Sequence, residues 1–378
     1  MRPIYLDYNA TTPIAPSVYE AMRPFLVEHF GNPSSAHSRG IAAHQAVEDA
    51  RQFVAEALGA CPDEVFFTSG GTESNNLALL GIAAGPQSHR GHLIISAIEH
   101  PSVIAPARFL ERWGCEVTMI LPDRYGQVSA DDVESALRED TVLVSIMHAN
   151  NEIGTIQPIN EIAQRCQAHG VPVHTDAAQS VGKIRTHVDE LGVDLLTVAG
   201  HKLYAPKGVG ALYVRRGTSI GPILHGAGHE KGLRPGTENV ASIVGLGQAA
   251  RLATGSVEEN QRRLAGLRDR LWEQLRRGVG SELRFHGAPE GRLPNTLSVN
   301  LPGVVAQDVL DRAAEVCAST GSACHSGRAQ LSPTLAALGL SAAEAAGTIR
   351  LSLGWNTSEE EIDRASSAIL SAWESLVG

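Results

Sequence analysis

The amino-acid sequence predicts an α/β protein: a parallel sheet covered by helices, followed along the chain by a smaller α+β domain. Three observations predict it. From about residue 40 to 215, helix-like and strand-like segments alternate; the strand-like runs are apolar throughout; and after about residue 250 this rhythm gives way to a long charged helix and shorter strands. Strands apolar on both faces belong in parallel sheets with helices packed above and below.

The elements follow in order. Residues 41–58 read as a helix, with Val47, Val54 and Leu58 at apolar spacing and Gly59 as its stop signal. Glu64 to Thr68 is a strand that runs into Ser69-Gly70-Gly71-Thr72, after which a helix begins. Leu93 to Ser96 is a strand, 102–113 a helix ending at Gly114, and Val117 to Leu121 a strand. Ser129 caps a helix whose first turn carries Asp131 and Asp132, which suits the helix dipole. Thr141 to Met147 is a strand, and Ile159 to His169 a helix closed by Gly170. Beyond the boundary near 250, Ser256-x-x-Glu259 is a capping box opening a helix over 256–277. Thr296 to Asn300 (strand), 306–316 (helix), Ile349 to Leu353 (strand) and a last helix opened by Thr357-x-x-Glu360 complete the smaller domain.

A chain of 378 residues is long for one core, so two domains are expected: 14–250 as the large one, with 1–13 and 251–378 forming the small one. The net charge of −10 argues against nucleic acid and anionic membrane as partners. The five cysteines are odd in number and include no C-x-x-C, so neither a disulfide framework nor a zinc site is read, and no metal is expected. This usage fits a reducing compartment. With no apolar signal core at the N-terminus and no run long enough for a bilayer, a cytoplasmic protein is expected.

Chemistry concentrates at two strand ends. Asp176 follows Val171-Pro172-Val173, and Lys202 follows Asp194-Leu195-Leu196-Thr197-Val198. Ligands of open α/β sheets bind at that edge. A lysine able to form a Schiff base and an aspartate able to keep a pyridine nitrogen protonated are what pyridoxal phosphate needs from a protein. The turn Ser69-Gly70-Gly71-Thr72-Glu73 offers glycines and free N–H groups at a helix start, where phosphate could sit; the same turn also serves as an ordinary strand–helix connection. A competing motif is Gly217-Thr218-Ser219-Ile220-Gly221, which matches the nucleophile elbow of serine hydrolases, with His225-Gly226-Ala227-Gly228 loosely like their oxyanion motif. Pro222 follows at once and the oxyanion-like stretch lies after the serine, which favours a surface loop.

Several blocks, in order, carry a family resemblance. They are Tyr5-Leu6-Asp7-Tyr8-Asn9-Ala10-Thr11-Thr12, Gly31-Asn32-Pro33-Ser34-Ser35, Thr68 to Asn76, Ala149-Asn150-Asn151-Glu152, Arg234 to Asn239, Gly321-Ser322-Ala323-Cys324 and Ile349 to Gly354. Over almost its whole length the chain resembles the cysteine desulfurases, fold-type I pyridoxal-phosphate enzymes in a group that also contains selenocysteine lyases. The resemblance implies an aminotransferase-like fold with a mostly parallel seven-stranded sheet, and pyridoxal 5'-phosphate as cofactor. It implies that Lys202 carries the cofactor, Asp176 pairs with its ring nitrogen, Gln179 bonds its ring oxygen, and His100 stacks on the ring as acid or base. Gly71, Thr72, His201 and, from a partner subunit, Thr237 hold the phosphate. Arg350, helped by Asn151, binds the substrate carboxylate.

Cys324 is the implied nucleophile. It takes sulfur from L-cysteine as a persulfide, releases L-alanine and passes the sulfur to an acceptor protein, with iron–sulfur cluster assembly as one destination. Its small polar surroundings suit a mobile loop, and the other four cysteines read as inert packing residues. A homodimer is implied. Ala199 stands where many relatives have a phosphate-binding serine, and Cys324-His325-Ser326 also resembles the selenocysteine lyases, so L-selenocysteine stays open as an alternative substrate. A serine hydrolase using Ser219 and a scaffold without cofactor are the remaining alternatives.

Overall fold

A computed structural model describes residues 3–83, 91–325 and 328–378, with the backbone alone for 322–325 and 328–330. Its centre is a seven-stranded sheet. Across the sheet the strands run Val65–Thr68, Gly210–Val214, Leu195–Ala199, Val173–Asp176, Thr141–Ser145, His92–Ser96 and Glu116–Ile120. Gly210–Val214 is antiparallel to both neighbours, and the remaining pairs are parallel. The mostly parallel seven-stranded sheet implied by the resemblance is therefore present.

Each central strand buries both faces, which is why its sequence is apolar without alternation. Ile94, Val144 and Leu196 join the core shared with helices Ser38–Leu58 and Val240–Thr254. Their neighbours Ile95, Leu143 and Leu195 join the core under helices Gly71–Ala83 and Pro101–Arg112.

A further core lies among Leu264, Leu271, Leu297, Val299, Ile349, Leu351, Ile362 and Ile369. Its antiparallel sheet runs Ser319–Thr320, Thr348–Ser352, Thr296–Asn300, Arg284–His286. Helices Val257–Val279 and Glu359–Val377 cover it. The N-terminal segment is sewn into this core: Ile4–Tyr5 pairs in parallel with Val316–Cys317, and Ile4 and Leu6 are buried there.

Three local expectations are corrected. The helix expected over 306–316 stops at Arg312, because residues beyond it turn to pair with Ile4–Tyr5. Ser256 precedes its helix but caps nothing; its hydroxyl donates to the Leu252 carbonyl at 3.0 Å, at the end of the preceding helix. The final helix is opened by Ser358 with Glu361, one residue later than read, while the Thr357 hydroxyl accepts from Gly354 N–H at 3.0 Å. Among the described residues, no helix is long and apolar enough to cross a membrane.

Candidate active site

The parallel strands fan out in opposite chain directions from the pair His92–Ser96 and Thr141–Ser145. Ligands bind outside the carboxyl ends of strands at such a switch point. A cavity of about 600 Å³ lies there, within the range of small-molecule sites. Gly71, Thr72, His100, Asn151, Asp176, Gln179, His201, Lys202 and Arg350 all line it. Thr237 is exposed and does not line this cavity. The side chain of Cys324, and the mobility expected around it, lie outside the described residues. Its backbone belongs to a hairpin, Ser322–His325 against Arg328–Leu331, with Cys324 opposite Ala329, where a loop was expected.

Asp176 is the last residue of its strand and is buried. Its Oδ1 accepts from Ala178 N–H at 2.9 Å and its Oδ2 from Asn75 Nδ2 at 2.6 Å. Asn75 Nδ2 also donates to Ser102 Oγ at 2.8 Å. That hydroxyl lies 2.7 Å from His100 Nδ1, and Ser102 N–H donates to the same nitrogen at 3.1 Å as His100 caps helix Pro101–Arg112. Nδ1 accepts from the backbone N–H, so the neutral ring carries its proton on Nε2. Burial lowers the His100 pKa, and the Lys202 charge adds to this against the opposing pull of Asp176. The ring is therefore kept neutral.

Lys202 sits in a single helical turn after strand Leu195–Ala199. Its Nζ donates to Ala10 O at 2.7 Å and also to Asn9 O. Burial, helped by the Arg350 charge, brings its amine down to about 8. Near neutral pH a usable fraction is then the nucleophilic free base. His201 beside it is lowered to about 4, first by burial and then by Lys202, with its Nδ1 3.2 Å from Thr11 Oγ1.

At the far left of the sheet, helix Gly71–Ala83 points its N-terminus into the cavity, and Thr72 is exposed there. Gly70 has φ +148°, a backbone that L side chains avoid. A Cβ on Gly71 would meet the Ala199 methyl at 3.2 Å, so the loop lies close against the sheet end. Free N–H groups, the Thr72 hydroxyl and the Lys207 cation together make an anion cradle.

On the opposite wall, Arg350 projects from strand Thr348–Ser352. Its Nη2 donates to Asp7 Oδ1 at 2.8 Å and to Ser319 Oγ at 2.9 Å, and its Nη1 to Asn151 O at 3.2 Å. Its Nε is buried without a partner among the described residues.

This donor set fits pyridoxal phosphate: a buried carboxylate, an amine near 8 and an anion cradle around one cavity. Asp176 would face the ring nitrogen, Lys202 the aldehyde carbon, and Thr72 with His201 the phosphate.

Sequence reasoning assigned no role to Asn9, Asn75, Ser102, Asp7 or Glu99. Asp7, Asn9 and Asn75 stood inside the family blocks, which was the available signal. Two of the cysteines read as buried are exposed: Cys61 and Cys317. Cys115 and Cys166 are buried, and burial raises both thiols, Cys166 to about 12. Ser219 is exposed in a loop where no α-helix begins before Val240, unlike a nucleophile elbow, and it does not line the cavity.

Comparison with known proteins agrees with this architecture. The aminotransferase class-V model matches residues 4–365. A cysteine desulfurase IscS from Dictyoglomus turgidum is 47% identical over 364 residues, covering 96% of this chain and 92% of its own. A solved NifS-like protein superposes with TM-score 0.91 at 37% identity, over 98% of each chain. A structure titled SspA in complex with cysteine superposes with TM-score 0.81 at 40% identity, over 92% of this chain and 98% of that one. The chain belongs to the aminotransferase class-V family, as a near relative of its cysteine desulfurases.

Proposed function

We propose that this protein is a pyridoxal-phosphate-dependent cysteine desulfurase that converts L-cysteine to L-alanine and holds the sulfur as a persulfide on Cys324. The observation that carries this reading is one cavity holding the Lys202 amine near 8, the Asp176 carboxylate and the Arg350 guanidinium. Relatives named cysteine desulfurase, and a similar structure in complex with cysteine, support the substrate.

When bound, pyridoxal phosphate supplies an electron sink for charge developing at the substrate Cα. Asp176 keeps the ring nitrogen protonated. Lys202 anchors the cofactor and moves the Cα proton. Gln179 would bond the ring oxygen, and His100, neutral with its proton on Nε2, would serve the cofactor as a proton donor. Gly71, Thr72 and His201 hold the phosphate, and Thr237 completes the phosphate site of a partner in a two-fold homodimer. Arg350, steadied by Asp7 and Asn151, binds the substrate carboxylate as a charge-assisted pair. The Cys324 thiolate attacks the substrate sulfur. The C–S bond breaks as an S–S bond forms, and the carbon fragment gains a proton and leaves as L-alanine. An acceptor protein then collects the sulfur, and the reaction is placed in the cytoplasm. The same reading divides the chain into a large domain, 14–250, and a small one formed by 1–13 and 251–378.

The test is product analysis. Purified protein with L-cysteine and a thiol reductant should release alanine and sulfide in equal amounts. Cys324→Ala should keep the yellow cofactor and release neither. Sulfide at the wild-type rate from Cys324→Ala would remove Cys324 from the reaction and turn attention to the exposed Cys317.

A further inference from the structure

Lys183 has no part in the chemistry above, yet it lies one hydrogen bond from the cavity wall. It is a lysine only 8% exposed. Its Nζ donates to Gln179 Oε1 at 2.8 Å and reaches Asn9 Oδ1 at 3.3 Å. Two acceptors match the two N–H bonds of a neutral amine. Burial pulls its pKa well below the lysine range, and the charged groups that face it, Lys202 and Arg350, are both cations and add to this.

The polarity of the surrounding network follows from backbone carbonyls, which only accept. Asn295 Nδ2 donates to Leu353 O at 3.1 Å and spends its second N–H on Asn9 Oδ1 at 3.0 Å. Asn9 Nδ2 donates to Asn151 O at 3.1 Å and to Thr296 Oγ1 at 2.8 Å. Gln179 Nε2 donates to Asn9 O at 3.0 Å, so Gln179 Oε1 must face Lys183. One end of the Gln179 amide is clamped by a carbonyl and the other by an amine. Gln179 lines the cavity, and among the described residues its NH2 group has one N–H still to give.

We propose that Lys183 is a positioning residue whose amine locks the Gln179 amide so that its NH2 group donates to an anionic ring oxygen of the bound cofactor. This rests on the cofactor reading above. A donor on that oxygen stabilises its anionic form and lowers the pH at which the visible absorbance of the holoenzyme titrates. Loosening the donor raises that pH.

The experiment is a pH titration of the visible band of the holoenzyme, with melting temperature recorded alongside. Lys183→Met should move the midpoint upward by about half a pH unit, the scale of one weakened hydrogen bond. Lys183→Gln, which keeps a neutral N–H donor, should restore the wild-type midpoint. In a Gln179→Leu background, Lys183→Met should add no further shift, because it acts through that amide.

An unmoved midpoint in folded Lys183→Met, or an equal shift with and without Gln179, overturns the proposal. Equal shifts in the Met and Gln variants also overturn it, since they would assign the effect to charge. Should Lys183→Met not fold, Lys183→Gln and Gln179→Leu carry the test. A displaced midpoint in Lys183→Gln sinks the proposal; a wild-type midpoint there with Gln179→Leu displaced upholds it. A wild-type protein with no visible band at all after loading would instead defeat the cofactor reading, before Lys183 enters.

Discussion

The two walls of the cavity are built in different ways. The wall bearing Asp176 and Lys202 is the edge of one sheet, and its functional groups sit at the ends of adjacent strands. The wall bearing Arg350 is assembled from Asp7, Asn151 and Ser319, which the chain brings together from far apart; Asp7 and Arg350 are 343 positions apart. The sheet edge makes groups that react, held by burial and short local connections. The assembled wall makes a charge that recognises, held by salt bridge and hydrogen bonds. Damage to the first should therefore cost chemistry, and damage to the second should cost binding.

The largest expected effect is on the sheet edge. Lys202→Ala should lower alanine production by about a thousandfold or more, since both anchor and proton carrier are gone. Borohydride reduction of the wild type followed by peptide mapping should place the pyridoxyl group on Lys202, and a label on Lys183 or Lys207 would contradict this.

The second effect is on stability and concerns Glu99, buried behind the same edge. Its Oε1 accepts from Ser96 Oγ at 2.5 Å and from Met147 N–H at 2.8 Å, while its Oε2 has no partner among the described residues. Burial pushes its pKa up from 4.5 to about 8. Between those two values the folded protein holds a proton that the unfolded chain has lost. Stability therefore falls as pH rises through that window, and the loss is complete above about 8. Glu99→Gln should remove this dependence, worth on the order of 5 kcal/mol across the window. Denaturant melts at pH 5 and pH 9 measure it, and identical slopes in wild type and variant would refute the assignment.

The third effect tests the assembled wall. Arg350→Ala should lower kcat/KM for L-cysteine by about a hundredfold, mostly through KM, while the visible band of the holoenzyme stays. A fall confined to kcat would erase the contrast between the walls. The smallest is Asp7→Asn, which keeps the shape but removes the charge partner of Arg350. About a tenfold rise in KM is expected, with kcat nearly unchanged. Steady-state kinetics read both.

The same contrast decides what could be read in the sequence. Asp176 and Lys202 announce themselves because each ends an apolar run, and adjacency in a parallel sheet is a local matter. Arg350 and Gly71 needed the family motifs, because nothing local distinguishes an arginine in a strand or a glycine in a turn. Asp7 stood inside a family block but its role was not legible, and Ser102 and Lys183 were not legible at all, since their partners are set by tertiary folding. The capping errors have the same origin. Thr357-x-x-Glu360 and Ser358-x-x-Glu361 both satisfy the pattern, and only packing decides which hydroxyl caps. Likewise the Ser256 pattern loses to the end of the helix before it.

The strap formed by residues 4–12 has a consequence for how the protein is made. It pairs with Val316–Cys317, takes Ser352 O through Tyr8 N–H, and presents the Asn9 and Ala10 carbonyls to Lys202. During synthesis this segment leaves the ribosome long before residues 316–352 exist. It must wait, unpaired, while the central sheet folds behind it. The reactive lysine thus acquires its final surroundings only after residues 316–352 have been made and have docked against the strap, so the pocket is finished later than the sheet that carries its lysine.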